Sequence, residues 1–261
     1  MADQQFLWNV FGPILMALPR IGTAVLVAPL FPASVFPALV RGAVGVSLSL
    51  YLYPHMAAAL PVALSPLAWI VLVGKETLLG ALVGLAVGSI IWAFDCAGQV
   101  IDFQVGFANA QIFDPFGGHG TGPVGAVMMR IGLVLFVAGG GLQVLASLLF
   151  ESFHLWPVGS FYPRVTPLAD LAGSSFRSLG ELVVRLAAPA VLLMALVDLG
   201  FGLMGRLVPQ LNVFFFTMPL KAALAAVMIA LYLSYLADII SGQLIDLQGW
   251  LQRLVPVLAI H

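Results

Sequence analysis

Charged side chains stand inside long apolar runs of this 261-residue sequence, and they are the residues that could carry chemistry. The clearest cases are Lys75, Glu76, Asp198 and Lys221. Charges at such positions are costly, so they face a helix-bundle interior or a wet cavity. Two interpretations stay open: a relay for protons or ions, and ion pairs that hold an assembly together. A relay needs carboxylates or histidines along one path, and their scatter favours ion pairs.

The neighbours of these charges in sequence do not supply obvious partners. Adjacent helical residues point about 100° apart, so Lys75 and Glu76 are not expected to pair with each other. Asp198 lies in VLLMALVDLGFGLM with no cation nearby. The polar residues that we expect to be buried and to serve assembly are Lys75, Glu76, Asp102, Gln104, Asp198, Arg206, Gln210, Asn212 and Lys221.

A polar, glycine-rich insert from Gly98 to Pro123 interrupts the apolar runs, with the sequence GQVIDFQVGFANAQIFDPFGGHGTGP. Backbone of this kind cannot face lipid, because each unpaired N–H or C=O there costs several kcal/mol. It is tolerated only inside protein or beside a water-filled cavity. The insert is therefore expected to line or close a passage.

Other chemistries find no support in the residue spacing. His119 and His154 lack metal-ligand spacing with other histidines, cysteines or carboxylates. The glycine-rich run around His119 has no P-loop lysine and follows no strand, so it is expected to be a flexible turn. The single Cys96 excludes an internal disulfide and a cysteine-based metal site. We expect no enzyme, no cofactor and no metal.

The composition is not that of a soluble domain. Hydrophobic residues make up 62% of it and charged residues only 8%, and the mean hydropathy is +1.10. A soluble domain carries about 25% charged residues. The chain is therefore an integral membrane protein or a subunit buried in a larger apolar assembly. A net charge of −1 gives no sign of a nucleic-acid partner.

The apolar runs predict about six helices, several of them short or divided by proline. The run Phe6–Leu30 is expected to kink or split at Pro13 and Pro19, because proline removes a backbone donor. A spanning helix needs roughly 20 apolar residues, so some runs indicate half-length pieces. The other predicted helices are Ala43–Tyr53, Leu67–Phe94, Val124–Phe150, Leu182–Leu207 and Val213–Leu236.

Two further patterns predict helix packing. Gly80, Gly84 and Gly88 repeat every four residues, which lets another backbone approach closely. The tail Asp238–His261 carries a narrow apolar stripe, typical of helix-on-helix packing. We favour a partner-docking amphipathic helix there, and a helix lying in the membrane surface is the alternative. The stripe consists of Ile240, Leu244, Leu247, Leu251, Leu254 and Leu258.

Several motifs together resemble the export-gate family of type III secretion systems, called FliR in flagella and SctT in injectisomes. They are GQVIDFQVGFANAQIFDP, GGHGTGPVG, FESFHLWPVG and RLVPQLNVFFFTMPLK. The most specific parts are the G-x-x-ID-x-Q-x-G segment, which leads to Asp114-Pro115, and the PQLNVF turn at Pro209. The resemblance covers nearly the whole chain. Residues 117–123 and 139–141 favour the injectisome branch, whereas the segment around His154 also suits the flagellar branch.

The resemblance implies an all-α, membrane-associated subunit of a conical export gate, in which bent helical hairpins stack in a spiral. Its partners would be two smaller sister proteins (SctR/FliP-like and SctS/FliQ-like), the SctU/FlhB-like export switch protein and unfolded secreted proteins. Residues 1–180 would resemble the larger sister and residues 181–261 the smaller one. The assembly would lie in the bacterial inner membrane, partly raised into the periplasm, and other components would supply energy.

The resemblance also carries the family's plug loop onto the insert. The loop would fill the pore and retract when an unfolded substrate passes, with Phe107, Ile112 and Phe113 as the seal. A small secondary transporter with a broken-helix substrate site is the alternative. It should show two matching halves, and residues 181–261 do not mirror residues 1–94. The expected plug residues are Gly106, Phe107, Ala108, Asn109, Ala110, Gln111, Ile112, Phe113, Asp114 and Pro115.

Overall fold

The computed structural model describes residues 2–32, 36–56, 66–107, 122–158, 165–208 and 213–258, and every regular element in these ranges is an α-helix. The predicted all-helical class is therefore confirmed. The seven helices of the described ranges are α1 (Ala2–Val27), α2 (Ala38–Met56), α3 (Pro66–Val105), α4 (Pro123–Ala138), α5 (Gly141–Leu155), α6 (Val165–Leu207) and α7 (Val213–Leu258).

Three stretches of the described chain are long and apolar enough to cross a membrane: Pro66–Val105, Ala172–Leu207 and Phe215–Gly249. The helices α4 and α5 make a fourth if the pair forms one broken span. Shorter apolar helices are Leu15–Val27 and Ala38–Tyr51. The predicted mixture of full-length and half-length apolar helices is thus present.

Helix α1 runs without a break through Pro13 and Pro19, so the first apolar run is not split there, and a kink stays a prediction. A proline inside a helix costs about 3 kcal/mol or more. The second half of α1 buries large apolar side chains such as Met16 and Ile21 almost completely. Each of these contributes about 1.5–3 kcal/mol, which is of the same order as the cost of a proline.

Two predicted boundaries shift because the apolar periodicity continues past them, and a third shifts because α6 begins at Val165 and not at Leu182. Helix α3 extends to Val105, so the first part of the predicted insert is helical. Ile101 and Val105 lie four residues apart and are both buried, which places them on one face of the helix. Likewise, the predicted tail is not a separate helix, because α7 continues through Ile240 and Leu244, which are also buried.

A glycine divides the predicted helix Val124–Phe150 into α4 and α5. Gly140 has a φ of 85°, a left-handed conformation that residues with a side chain rarely adopt. Its carbonyl accepts hydrogen bonds from the N–H groups of Gln143 and Val144 and so begins α5. The triple glycine at this point therefore ends one helix and starts the next.

The helices form two compact units. The first contains Met1–Ser89, Gly140–Phe176 and Gln243–His261, and the second contains Ile90–Gly139 and Arg177–Gly242. The division at residue 180 concerns likeness to two sister proteins and stays a prediction.

Close backbone contact defines the packing inside the first unit, where α1 lies against α2 and α3. A Cβ atom added at Gly84 would lie 2.7 Å from the carbonyl oxygen of Ala24. One added at Gly80 would collide with the carbonyl group of Arg20. The predicted close approach at this glycine face is therefore confirmed for Gly80 and Gly84.

The second unit packs the later part of α3 against α4 in the same way. A Cβ atom added at Gly98 would lie 2.5 Å from the Cα atom of Gly125. At Gly132 it would lie 2.7 Å from Cγ of Phe94, a fully buried ring. These glycines bring the end of α3 next to the start of α4, which are the two ends of the insert.

Candidate functional site

Asp102 joins the two ends of the insert. Its Oδ1 accepts a hydrogen bond from the N–H of Val124 at 3.0 Å, and its Oδ2 accepts one from the N–H of Gly125 at 2.7 Å. The first N–H groups of a helix have no partner within the helix, and the N-terminus favours negative charge. The buried carboxylate on α3 therefore caps α4 and holds the far end of the insert.

Three polar residues join α3 to α6 and α7 within the second unit. The side-chain amide of Gln104 donates to Oδ2 of Asp198 at 3.1 Å. Lys221 donates to the backbone carbonyl of Gln104 at 3.0 Å and forms an ion pair with Asp198. We refer to Asp102, Gln104, Asp198 and Lys221 as the neck cluster.

The neck cluster contains four of the residues predicted to be buried and to serve assembly, of which Gln104, Asp198 and Lys221 contact one another. Asp102 and Lys221 are buried, whereas the Asp198 side chain is 43% exposed. Asp198 has no cation near it in sequence, and its partner is Lys221 on the following helix. The geometry favours ion pairing within the chain, since each charged group already has a polar partner.

The chain leaves α3 at Gly106, which has a φ of 101°. Its N–H donates to the carbonyl oxygens of Asp102 and Phe103, both at 3.1 Å. Phe107 follows and is half-buried. The other eight predicted plug residues, from Ala108 to Pro115, lie outside the described residues, so their role stays a prediction.

A second polar cluster, the arginine cluster, lies in the first unit and consists of Arg20, Lys75, Glu76, Ser152 and Trp156. Arg20 and Glu76 are fully buried. Nε of Arg20 donates to Oε2 of Glu76 at 2.6 Å, and its Nη2 donates to Oε1 at 3.0 Å. This two-bond pair uses the planar geometry of both groups.

Two backbone carbonyls and the Ser152 hydroxyl accept the remaining donors of the Arg20 guanidinium. Nη1 donates to the carbonyl oxygen of Ser152 at 2.7 Å, and Nη2 donates to that of Trp156 at 2.8 Å. The Phe153 ring centroid lies 4.1 Å from Cζ, a cation–π distance. One side chain thereby ties α1 to α3 and to the end of α5.

Lys75 and Glu76 form an ion pair at 2.8 Å, so the prediction that they would not pair is wrong. Both side chains are long enough to bend from their separate directions towards Arg20, where Oε1 of Glu76 receives both cations. Nζ of Lys75 also donates to the carbonyl oxygens of Pro157 and Val158, at 3.1 and 3.2 Å.

Sequence reasoning missed Arg20 as a member of this cluster. The signal was available, because Arg20 is the one basic residue inside the first apolar run, Phe6–Leu30. The argument that applies to Asp198 applies to Arg20 as well, since any charge at such a position needs a partner.

Arg206 is the one remaining predicted polar residue in the described ranges, and it belongs to neither cluster. Arg206 is exposed near the end of α6, so it is not buried within this chain, and its role in assembly stays a prediction. Gln210 and Asn212 lie outside the described residues. Across the described ranges, no group of three or more His, Cys, Asp or Glu residues could hold a metal ion.

Replacing Asp198 by leucine is expected to destabilise the second unit by about 1–2 kcal/mol, because Lys221 loses its carboxylate. The cost is below that of a fully buried pair, since the Asp198 side chain is 43% exposed. Unfolding of the purified chain in denaturing detergent measures it. Adding Lys221→Met should recover most of the loss, and Arg206→Gln is an exposed control. Unchanged stability, assembly and secretion would rule out a structural role for Asp198.

The chain is similar to proteins named for translocation, secretion and flagellar biosynthesis. Yop proteins translocation protein T of Yersinia pestis is 31% identical over 245 residues, which cover 93% of this chain and 94% of that protein. The secretion system apparatus protein SsaT of Salmonella typhimurium is 32% identical over 168 residues, 64% of each chain. The flagellar biosynthetic protein FliR of Bacillus subtilis is 32% identical over 168 residues, 64% of this chain and 65% of that protein.

The sequence profile of one family matches residues 11–247, a range that contains the insert, the neck cluster and the arginine cluster. The family consists of bacterial export proteins. The chain therefore belongs to the bacterial export proteins, family 1.

Proposed function

We propose that this chain is a core subunit of a type III protein export gate, which forms and plugs the channel for unfolded substrates in the bacterial inner membrane. The observation that carries this proposal is the family match over residues 11–247. Relatives named for protein translocation, a secretion apparatus and flagellar biosynthesis support it. The chain itself acts as scaffold and barrier, without catalysis.

The injectisome branch is the better supported of the two. The relative named for translocation of Yop proteins aligns with 93% of this chain. Flagellar FliR proteins align with 64% of it at 32% identity, or with 85–88% of it at only 25–28% identity. A flagellar export gate is the alternative within the same family.

The insert is proposed as the plug, with Gly106–Pro115 as the part that closes the channel. Its support is the way its two ends are held. Asp102 ties the start of α4 to α3, and the contacts of Gln104 tie α3 to α6 and α7. A loop with fixed ends can move at its tip without disturbing the helices around it. The neck cluster would thus position the plug rather than form the seal.

The exposed apolar surface of the second unit supports the proposal that partner proteins bind there. Large exposed apolar patches mark contacts with protein or lipid. The two sister proteins, SctR/FliP-like and SctS/FliQ-like, would cover part of this surface, and the SctU/FlhB-like switch protein would be a further partner. Part of the gate would rise into the periplasm. Side chains that are more than 60% exposed on α6 and α7 include Leu192, Leu196, Leu199, Leu203, Phe215 and Leu231.

Purification of the chain under a single affinity tag tests this proposal. We expect both sister proteins to elute with it from its native membranes, and secretion to stop when its gene is deleted and to resume when it is restored. An unrelated inner-membrane protein with the same tag is the control. Elution of the chain alone, together with transport of a small solute in proteoliposomes, would contradict the proposal and favour a secondary transporter.

A further inference from the structure

A cavity of about 270 Å³ lies between α1 and α2 in the first unit. An engineered apolar cavity of about 150 Å³ already binds benzene, so this space can hold a longer apolar group. One helical turn, about 10 Å wide and 5.4 Å long, fills roughly 400 Å³, so a partner helix does not fit. The residues around the cavity include Leu18, Gly22 and Val25 on α1 and Arg41, Gly42 and Gly45 on α2.

The cavity exists because three of these residues have no side chain. A Cβ atom added at Gly22, Gly42 or Gly45 would meet nothing within 4 Å. Gly80 and Gly84 differ, since a Cβ atom there would strike the backbone of α1. The glycines around the cavity therefore are not needed for close helix packing, and they leave room for something else.

Arg41 is the one charged residue among those that line this apolar cavity. The side chain is half-buried, and its buried Nε atom has no hydrogen-bond partner. No charged residue follows it in sequence until Lys75. A guanidinium presents several donors in a plane and matches phosphate oxygens in pairs. The half-buried Arg41 guanidinium on the wall of the cavity therefore offers donors that suit an anionic oxygen.

We propose that the cavity binds part of an acyl chain of an anionic phospholipid, whose phosphate accepts hydrogen bonds from Arg41. Such a lipid joins one negative group to a long apolar chain, which is the pairing that the cavity and Arg41 present. Basic pockets between membrane helices bind anionic lipid headgroups in this way. The lipid site is independent of the proposed export role.

Lipid binding to the full chain, purified with its partners and stripped of lipid by detergent, tests the site. Native mass spectrometry would compare phosphatidylglycerol with phosphatidylcholine carrying the same acyl chains. We expect one phosphatidylglycerol to bind at least about tenfold more tightly than phosphatidylcholine, because charge-assisted hydrogen bonds to arginine are strong. Arg41→Gln should abolish this preference, and Arg41→Lys should keep part of it.

A second variant tests the apolar part of the site separately. Gly45→Leu places a side chain in the open space and should weaken binding of both lipids. Gly200→Leu is the matched control, because a Cβ atom there also meets nothing within 4 Å and Gly200 does not line the cavity. Far-ultraviolet circular dichroism and the elution volume show whether each variant is folded.

Three results would overturn the proposal. The first is equal binding of the two lipids by the native chain, which needs no variant to be folded. The second is displacement of phosphatidylglycerol by inorganic phosphate together with no effect of Gly45→Leu, which would show a free-anion site. The third is a photo-crosslinker at position 45 that captures a sister protein and no lipid.

Discussion

Glutamine in place of Glu76 is expected to lower the free energy of unfolding by about 3–5 kcal/mol, because it leaves a buried cation without its counter-charge. Glu76 is fully buried and receives both Arg20 and Lys75, at 2.6 and 2.8 Å. A neutral amide keeps the size of the side chain but cannot accept both cations as a carboxylate does. A helical membrane chain that loses this much stability should also assemble poorly.

Denaturant titration of the purified chain in mild detergent, followed by circular dichroism, measures this loss. The triple variant Arg20→Met, Lys75→Met and Glu76→Leu should regain most of it, because replacing a whole buried ionic group by apolar side chains is often neutral or stabilising. Glu181→Gln, on an exposed part of α6, is the matched control. Native stability in Glu76→Gln would show that the arginine cluster does not stabilise the fold.

Deletion of Gly106–Phe113 is expected to leave the export complex assembled but leaky to ions and small molecules. The deletion removes the proposed seal, while Asp102 keeps its bonds to Val124 and Gly125 at the start of α4. The purified complex in a planar bilayer should change from a closed baseline to a steady ionic current. Cells that carry the deletion should take up an impermeant dye.

Point substitutions in the insert can distinguish a role as a seal from a role as a scaffold. Phe107→Ala combined with Phe113→Ala should give a partial leak, since the apolar groups exclude water from the closed channel. Asn109→Ala, in the same segment, is the control and should stay tight. If the deletion prevents assembly and no leak appears, the insert is a scaffold and not a plug.

Residue types alone were enough to predict the class of the protein and the position of the insert. The low charge content indicated a membrane chain, and the run of glycines and amides after Gly98 marked the unusual segment. The glycine repeat at Gly80 and Gly84 predicted a close approach, though it could not say that α1 was the partner. Such features depend on local composition, which a sequence shows directly.

The partners of the buried charges depend on packing between distant parts of the chain, so the sequence could not reveal them. Arg20 meets Glu76 because α1 and α3 lie in contact, and Asp198 meets Lys221 because α6 and α7 bring them together. Helix ends were misplaced for a related reason. Proline in α1 and polar residues near Gln104 argue locally for a break, whereas burial of neighbouring side chains keeps the helices intact.

The contact of Asp102 with the start of α4 also limits how far the proposed plug can travel. Residues 106–121 lie between the two anchored ends. An extended arm of half that length reaches about 25–30 Å. The number of residues between the two anchored ends therefore sets the largest distance that the tip of the plug can move, whatever force withdraws it.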